Sequence, residues 1–348
     1  MKFRTTVYLF LFALLAQNTY AIQVSGLYQA TVPVADESVS KRNPAIKQAL
    51  IQVLIKLTGD RNIRNSSDIV PLIERPERFV QQFRYRQIEN LEEPTSQSTE
   101  LLVQFDETAL NEGLRSYGLT VWGQERPSTL VWLAYEQNEI RRLVSFEERP
   151  EYLNTLDAGA ASRGLSLLFP LLDLEDSSRI SISDVWGSFK DPISNASNRY
   201  QADVILTAKV IQVLPNLWES KWTAYINDLT ESWTSQGELA EIVLKEGIDE
   251  LADRIASQYA NIGSSVSEVI ELLVTDVDDL DKYARALSYL ESVQSISSVQ
   301  VKRVSKNDVM FTLVNRGGLA AIDQSIALGK TLELVSNNDQ LTYRLLPR

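Results

Sequence analysis

The densest set of groups able to do chemistry is Asp173-Leu174-Glu175-Asp176, with Asp184 close behind. These carboxylates follow an apolar run, residues 165–172, that reads as a buried strand. Open α/β sheets place ligands at the C-terminal ends of such strands. Oxygen ligands suit Mg²⁺ or Ca²⁺, and two neighbouring carboxylates can divide acid and base work between them. No Asp/Glu spacing here matches a known metal loop, and a solvated acidic loop is the competing explanation. No metal and no catalytic residue is therefore assigned. Trp186, beside Asp184 in the same polar stretch, suits a surface anchor for a sugar ring or peptide. Asp173, Asp176, Asp184 and Trp186 are the candidate binding residues.

Other motifs carry less. Residues 276–281 resemble a calcium loop but lack its glycine and its closing glutamate, and helix capping explains them. Gly329-Lys330-Thr331 lacks the upstream glycine of a P-loop, since Gln324 stands there. Ser38-Val39-Ser40-Lys41 matches Ser-x-x-Lys without its companion motifs and reads as a helix start. Arg61, Arg64, Arg75, Arg78, Arg84 and Arg86 crowd one stretch and could face an anionic partner, although Asp60, Asp68, Glu74 and Glu77 interleave with them. Trp132 lies inside an apolar strand and reads as core.

Composition narrows the chemistry. The 348 residues include no histidine and no cysteine. That removes Ser-His and Cys-His nucleophile pairs, thiolate chemistry, histidine zinc sites and ordinary haem ligation. No cofactor is expected. The net charge of −12 argues against nucleic acid as a partner. Residues 126–263 hold 21 acidic and 12 basic side chains, whereas 22–125 and 264–348 are near balance at −3 and −2.

Residues 1–21 read as a cleavable secretory signal: Lys2 and Arg4, an apolar run over 7–16, then Thr19-Tyr20-Ala21 as the cleavage site. The mature chain is expected in a bacterial periplasm, with no transmembrane segment left after cleavage. Three blocks follow. Residues 22–125 order as β-α-β-β-α plus a short strand near 119–122, and Asn43-Pro44 reads as the first helix start. Residues 126–263 show a fully apolar strand, a helix, the apolar run 165–172, a polar loop over 173–188, a helix, three strands and a long amphipathic helix. Residues 264–348 order as β-α-β-β-α-β, with 341–346 as an added edge strand. The expected fold is α/β and α+β: a central three-layer α/β domain with a mixed sheet, flanked by two small ferredoxin-like (βαββαβ) domains.

Several runs carry a resemblance. They are residues 53–59, ending in Thr58-Gly59; Arg126-Pro127; residues 161–165, centred on Arg163-Gly164; Phe169-Pro170 leading to Asp173; residues 183–187; and Arg199-Tyr200-Gln201-Ala202-Asp203. Together they resemble an uncharacterised family of exported proteobacterial proteins, domain of unknown function 2066. That family has no assigned catalytic residues to transfer. In fold, the middle block is similar to the N-terminal domain of the Tol periplasmic protein and to periplasmic domains of curli and flagellar assembly proteins. The resemblance implies a non-catalytic binding or assembly protein whose partner is an envelope protein or cell-wall component. The alternative is a carboxylate- or divalent-metal-dependent hydrolase of cell-wall sugar or peptide, centred on Asp173, Asp176 and Asp184.

Overall fold

The computed structural model describes residues 26–89, 97–119, 121–123, 126–147, 154–226, 229–259, 267–293, 295–316, 318–329, 331–337 and 340–347. Residues 1–21, expected to be a secretory signal, lie outside these residues. The chain clusters into two compact units, 23–267 with 316–321 and 268–315 with 322–348.

The first unit opens with a split β-α-β arrangement. Strand β1 (Gln29–Val34) leads into helix α1 (Val39–Thr58), then β2 (Val80–Glu89), β3 (Gln97–Phe105) and helix α2 (Glu107–Ser116). β3 lies between β1 and β2 and is antiparallel to both. Alternation decides which face is covered. Leu101, Val103 and Phe105 are buried with Ala30 and Val32 against Leu50, Val53, Leu54 and Leu57 of α1. This is the ferredoxin-like order without its fourth strand. Residues 119 and 121–123 form no strand; the Trp122 amide donates instead to the Leu57 carbonyl at the end of α1, at 2.6 Å.

Helix α1 starts at Val39 with Ser38 as its N-cap, so Asn43-Pro44 is inside the helix rather than at its start. Pro44 has no N–H to give the Ser40 carbonyl, but both residues are exposed, so water can satisfy the oxygen.

The central sheet is mixed, as expected. Strand β4 (Ser128–Gln137) is parallel to β7 (Val204–Leu214) on one side. On its other side it pairs with β5 (Ile140–Leu143), antiparallel, and β6 (Ser166–Leu168), parallel. Strand β8 (Leu217–Ile226), antiparallel to β7, and β9 (Leu229–Gly237), antiparallel to β8, extend the sheet. Helices α3 (Asn154–Arg163) and α7 (Ala240–Tyr259) cover one face. Helices α4 (Leu174–Arg179), α5 (Ile182–Gly187) and α6 (Lys190–Ser197) cover the other, where Ile180, Val185, Ile193 and Ala196 pack on Leu130, Trp132 and Ala134. The Trp132 indole donates to Ser197 Oγ at 2.8 Å.

Two expectations fail here. The stretch 173–188 is two short helices rather than a loop, because Asp173 and Ser181 each cap a turn. The strand at 165–172 shortens to 166–168, and Leu172 takes a left-handed φ of 52° that ends any extended run.

The N-terminal and central blocks form one unit because charged side chains tie them together. The Arg163 side chain is 3% exposed. It donates to the Gly59 carbonyl (2.9 Å), to Asp249 Oδ1 (3.0 Å) and to Asp253 Oδ1 (2.5 Å). Arg61 reaches Glu250 (2.8 Å) and Asp253 (2.9 Å) on the same face of α7. Arg126 is buried and donates to the carbonyls of Lys56 and Trp122 (both 2.8 Å) and Gly123 (2.6 Å), with its guanidinium 3.6 Å from the Trp122 ring centroid. Gly59, at φ 73°, caps α1; a Cβ there would lie 2.5 Å from that of Ala256.

The second unit holds strands β10 (Ser267–Thr275), β11 (Ile296–Val304), β12 (Asp308–Arg316), β13 (Leu332–Ser336) and β14 (Leu341–Leu345), with helices α8 (Leu280–Ser292) and α9 (Gly318–Gly329). Its sheet order is β11-β12-β10-β14-β13. The βαββα part follows the ferredoxin-like order. The final hairpin departs from the expectation: β14 is interior, parallel to β10, and β13 takes the edge. The alternation explains it, since Leu341, Tyr343 and Leu345 are buried while Glu333, Leu334 and Val335 are exposed.

Two substitutions test this packing. Gly247 in α7 faces Trp222; an added Cβ would lie 2.1 Å from the indole, which is stacked on Trp233 and bonded to Ser220. Alanine would gain about 1 kcal/mol of helix propensity, yet Gly247→Ala is expected to lose about 2 kcal/mol net through overpacking, read as a lower urea midpoint. Arg163→Leu leaves Asp249 and Asp253 short of a cation and is expected to cost about 3–5 kcal/mol. The same denaturation measurement checks it, and an unchanged midpoint would show that the two blocks hold together without this residue.

Candidate functional site

The four candidate side chains lie on two adjacent short helices, and each has a local task. Asp173 caps α4, accepting from the Asp176 amide at 3.0 Å. It also takes a two-pronged contact from Arg199, at 2.8 and 3.0 Å. That guanidinium, with the capping amides, pulls the Asp173 carboxyl down to about 2. Asp176 is fully buried. It accepts from the Tyr200 hydroxyl (2.6 Å), the Leu172 amide (2.9 Å) and Arg199 (3.2 Å). Burial, then the bond to Asp176, raises the Tyr200 hydroxyl to about 12, so it remains a donor at physiological pH.

Asp184 is drawn into a separate capping box. Its carboxylate accepts from the Ser181 amide (2.8 Å) and hydroxyl (2.6 Å), while Ser181 Oγ accepts from the Asp184 amide. Trp186 is half-buried, not a free anchor. The Arg141 guanidinium lies 4.1 Å from its ring centroid and the Lys209 ammonium 5.6 Å.

The arrangement brings Asp173 and Asp176 together as the two anionic partners of one arginine. A catalytic carboxylate pair needs one group protonated or an open edge toward substrate. Here the buried member has both oxygens engaged, and the exposed member is held strongly ionised. Among the described residues, no group of three or more His, Cys, Asp or Glu is arranged to hold a metal ion. No helix of the described residues is long and apolar enough to cross a membrane.

The charged cluster that sequence reasoning missed is the one between the blocks. Lys56 donates to the carbonyls of Gly26 (3.1 Å) and Gln29 (2.8 Å), and burial lowers its ammonium to about 8. Burial also lowers the Arg126 guanidinium well below its ordinary range. The only signal in the sequence was that Thr58-Gly59, Arg126-Pro127 and Arg163-Gly164 stand out as separate motifs; nothing in their spacing says that they meet.

Arg199→Ala tests the Asp173 assignment. A carboxyl with a depressed pKa stabilises the fold above its ordinary range, and that contribution is lost as pH falls from 3.8 toward 2. Carboxyl ¹³C titration is expected to place Asp173 near 2 in the parent and closer to 3.8 in the variant. Equal values would mean that Arg199 is not what holds it down.

Residues 21–123 match an uncharacterised family, a domain of unknown function (DUF8605). Among curated proteins, none matches the chain. The N-terminal block is therefore similar to an uncharacterised family, which supplies no functional residue for this one.

Proposed function

We propose that this is a non-catalytic binding or assembly protein of the bacterial cell envelope, exported to the periplasm. Its finer kinship would be with the exported family of domain of unknown function 2066, and the kinship of its middle block with the Tol, curli and flagellar-ring domains. The observation that carries this reading is the contrast between occupied carboxylates and long sheet edges. Asp173, Asp176 and Asp184 serve as caps and as partners of Arg199 and Ser181. By contrast, β2 (ten residues) and β9 (nine residues) end their sheets, and β11 (nine residues) ends the sheet of the second unit. Edge strands display unpaired backbone donors and acceptors, on which partner strands can add. The export signal and the missing histidine and cysteine point the same way.

In-cell photo-crosslinking along β9 tests the reading. The expected result is one envelope partner captured at alternate positions, the two-residue period of strand pairing, by a mature chain that begins at Ile22. No adduct, together with a melting temperature raised by Mg²⁺ or Ca²⁺ and unresponsive in Asp176→Ala, would favour the hydrolase instead.

A further inference from the structure

Strand β2 has a chemistry that the other sheet edges lack. Its central residues read Phe83-Arg84-Tyr85-Arg86, so arginines and aromatic rings alternate and point to opposite faces. Phe83 and Tyr85 sit opposite Val103 and Leu101, on the face that carries α1. The Tyr85 hydroxyl donates to the Glu37 carbonyl just ahead of that helix, at 3.1 Å. Their rings meet edge to face, with centroids 6.1 Å apart, and the Arg42 guanidinium lies 5.0 Å from the Phe83 ring centroid. Phe83 is nonetheless 41% exposed. Arg84 and Arg86 sit opposite Leu102 and Glu100 on the other face. Arg86 pairs with Glu100 at 2.8 Å. Arg84 has no carboxylate partner among the described residues.

We infer that β2 is a docking strand for an extended acidic segment of a partner polypeptide, which joins the three-stranded sheet beyond β2. The inference rests on the binding reading above and names the chemistry of its partner. An incoming strand would make backbone hydrogen bonds along the edge, set carboxylates opposite Arg84 and Arg86, and lay apolar side chains on Phe83 and Tyr85. A second copy of the chain fits badly. Antiparallel pairing of two β2 strands centred on Tyr85 would set Arg84 of one copy directly opposite Arg86 of the other, and like charges so placed are destabilising. A lipid surface fits less well than a peptide. Such a surface favours a continuous basic plane, whereas Asp68, Glu74 and Glu77 interrupt the arginines before β2 and Glu100 lies beside Arg86.

The test uses the mature full chain and a fluorescent peptide of alternating valine and glutamate, read by anisotropy. The peptide should bind, its valine–lysine counterpart should not, and added salt should weaken binding by screening. Arg84→Glu with Arg86→Glu should weaken it at least about tenfold, and the milder pair Arg84→Gln with Arg86→Gln by less. An unchanged urea midpoint shows that the variants remain folded. Alternate N-methylation of the peptide should abolish binding, because charge alone does not require the backbone. Binding that survives N-methylation, or that ignores both pairs of substitutions, overturns the inference. So does binding of anionic vesicles with none of the peptide. If the peptide fails while crosslinks from β9 persist, this inference falls alone. If neither occurs, the binding reading falls with it.

Discussion

The carbonyl end of α1 is where the first unit is locked. A helix of twenty residues presents partial negative charge at its C-terminus, and three cations gather there. Arg126 takes the Lys56 carbonyl, Arg163 takes that of Gly59, and the Lys56 ammonium folds back to Gly26 and Gln29. Removing an arginine from water costs several kcal/mol. Among the described residues Arg126 has no carboxylate to offset that. Its three bonds to carbonyls, at about 1.5–3 kcal/mol each for a charged donor, and its stacking on Trp122, at about 2 kcal/mol when desolvated, are of the size needed. Arg163 follows a different route, since Asp249 and Asp253 of α7 neutralise it. Burial alone would raise the Asp249 carboxyl; the bonds from Lys245 and Arg163 outweigh it and the net shift is downward. Gly59 makes the arrangement possible. It turns the chain at positive φ and leaves room for Ala256, where any side chain would collide.

Seen from this lock, the motifs that set the sequence apart are chiefly devices of folding. Thr58-Gly59, Arg126 and Arg163-Gly164 converge on the end of α1. Arg199 and Tyr200 hold Asp173, Asp176 and the Leu171 amide on the far side of the central sheet. Asp203 accepts from the amide and hydroxyl of Ser128, and the Asp203 amide donates back to the Ser128 carbonyl, so the starts of the two parallel strands β4 and β7 are pinned together. A parallel pair has no tight turn to set its register, and this reciprocal bonding supplies one.

Legibility in the sequence followed the strength of the periodic signal. Strand β4 reads from its unbroken apolar run, and α7 from Val243, Leu244, Ile248, Leu251 and Ile255, all buried. The hairpin of β8 and β9 was equally plain. The misses share a cause: local signals that tertiary contacts override or that a short element hides. Helices α4 and α5 are six residues each, too short for an apolar stripe, so only their caps announce them. Strand β5, with Arg141 and Arg142 in four residues, carries no apolar run of its own and takes its form from pairing with β4. The candidate carboxylates follow β6, a strand shorter and less buried than the apolar run over 165–172 suggests. What the sequence withheld was Arg199, more than twenty residues away, which ties the two carboxylates into a partly neutralised staple.

Such pairing bears on what the net charge means. Carboxylates of residues 126–263 are turned toward arginines of the same unit: Asp249, Glu250 and Asp253 toward Arg61, Arg163 and Arg254, and Asp173 and Asp176 toward Arg199. Of these arginines only Arg61 lies outside 126–263, so the excess of acidic over basic side chains in that block stays nearly whole. Charges spent on such contacts contribute little to the field a partner meets. At the centre of the β2 edge the charges are Arg84 and Arg86, with Glu100 opposite Arg86 and Glu89 ending the strand. Under the docking inferred for β2, recognition would rest on residues that the fold leaves unmatched, not on the overall balance of acid and base.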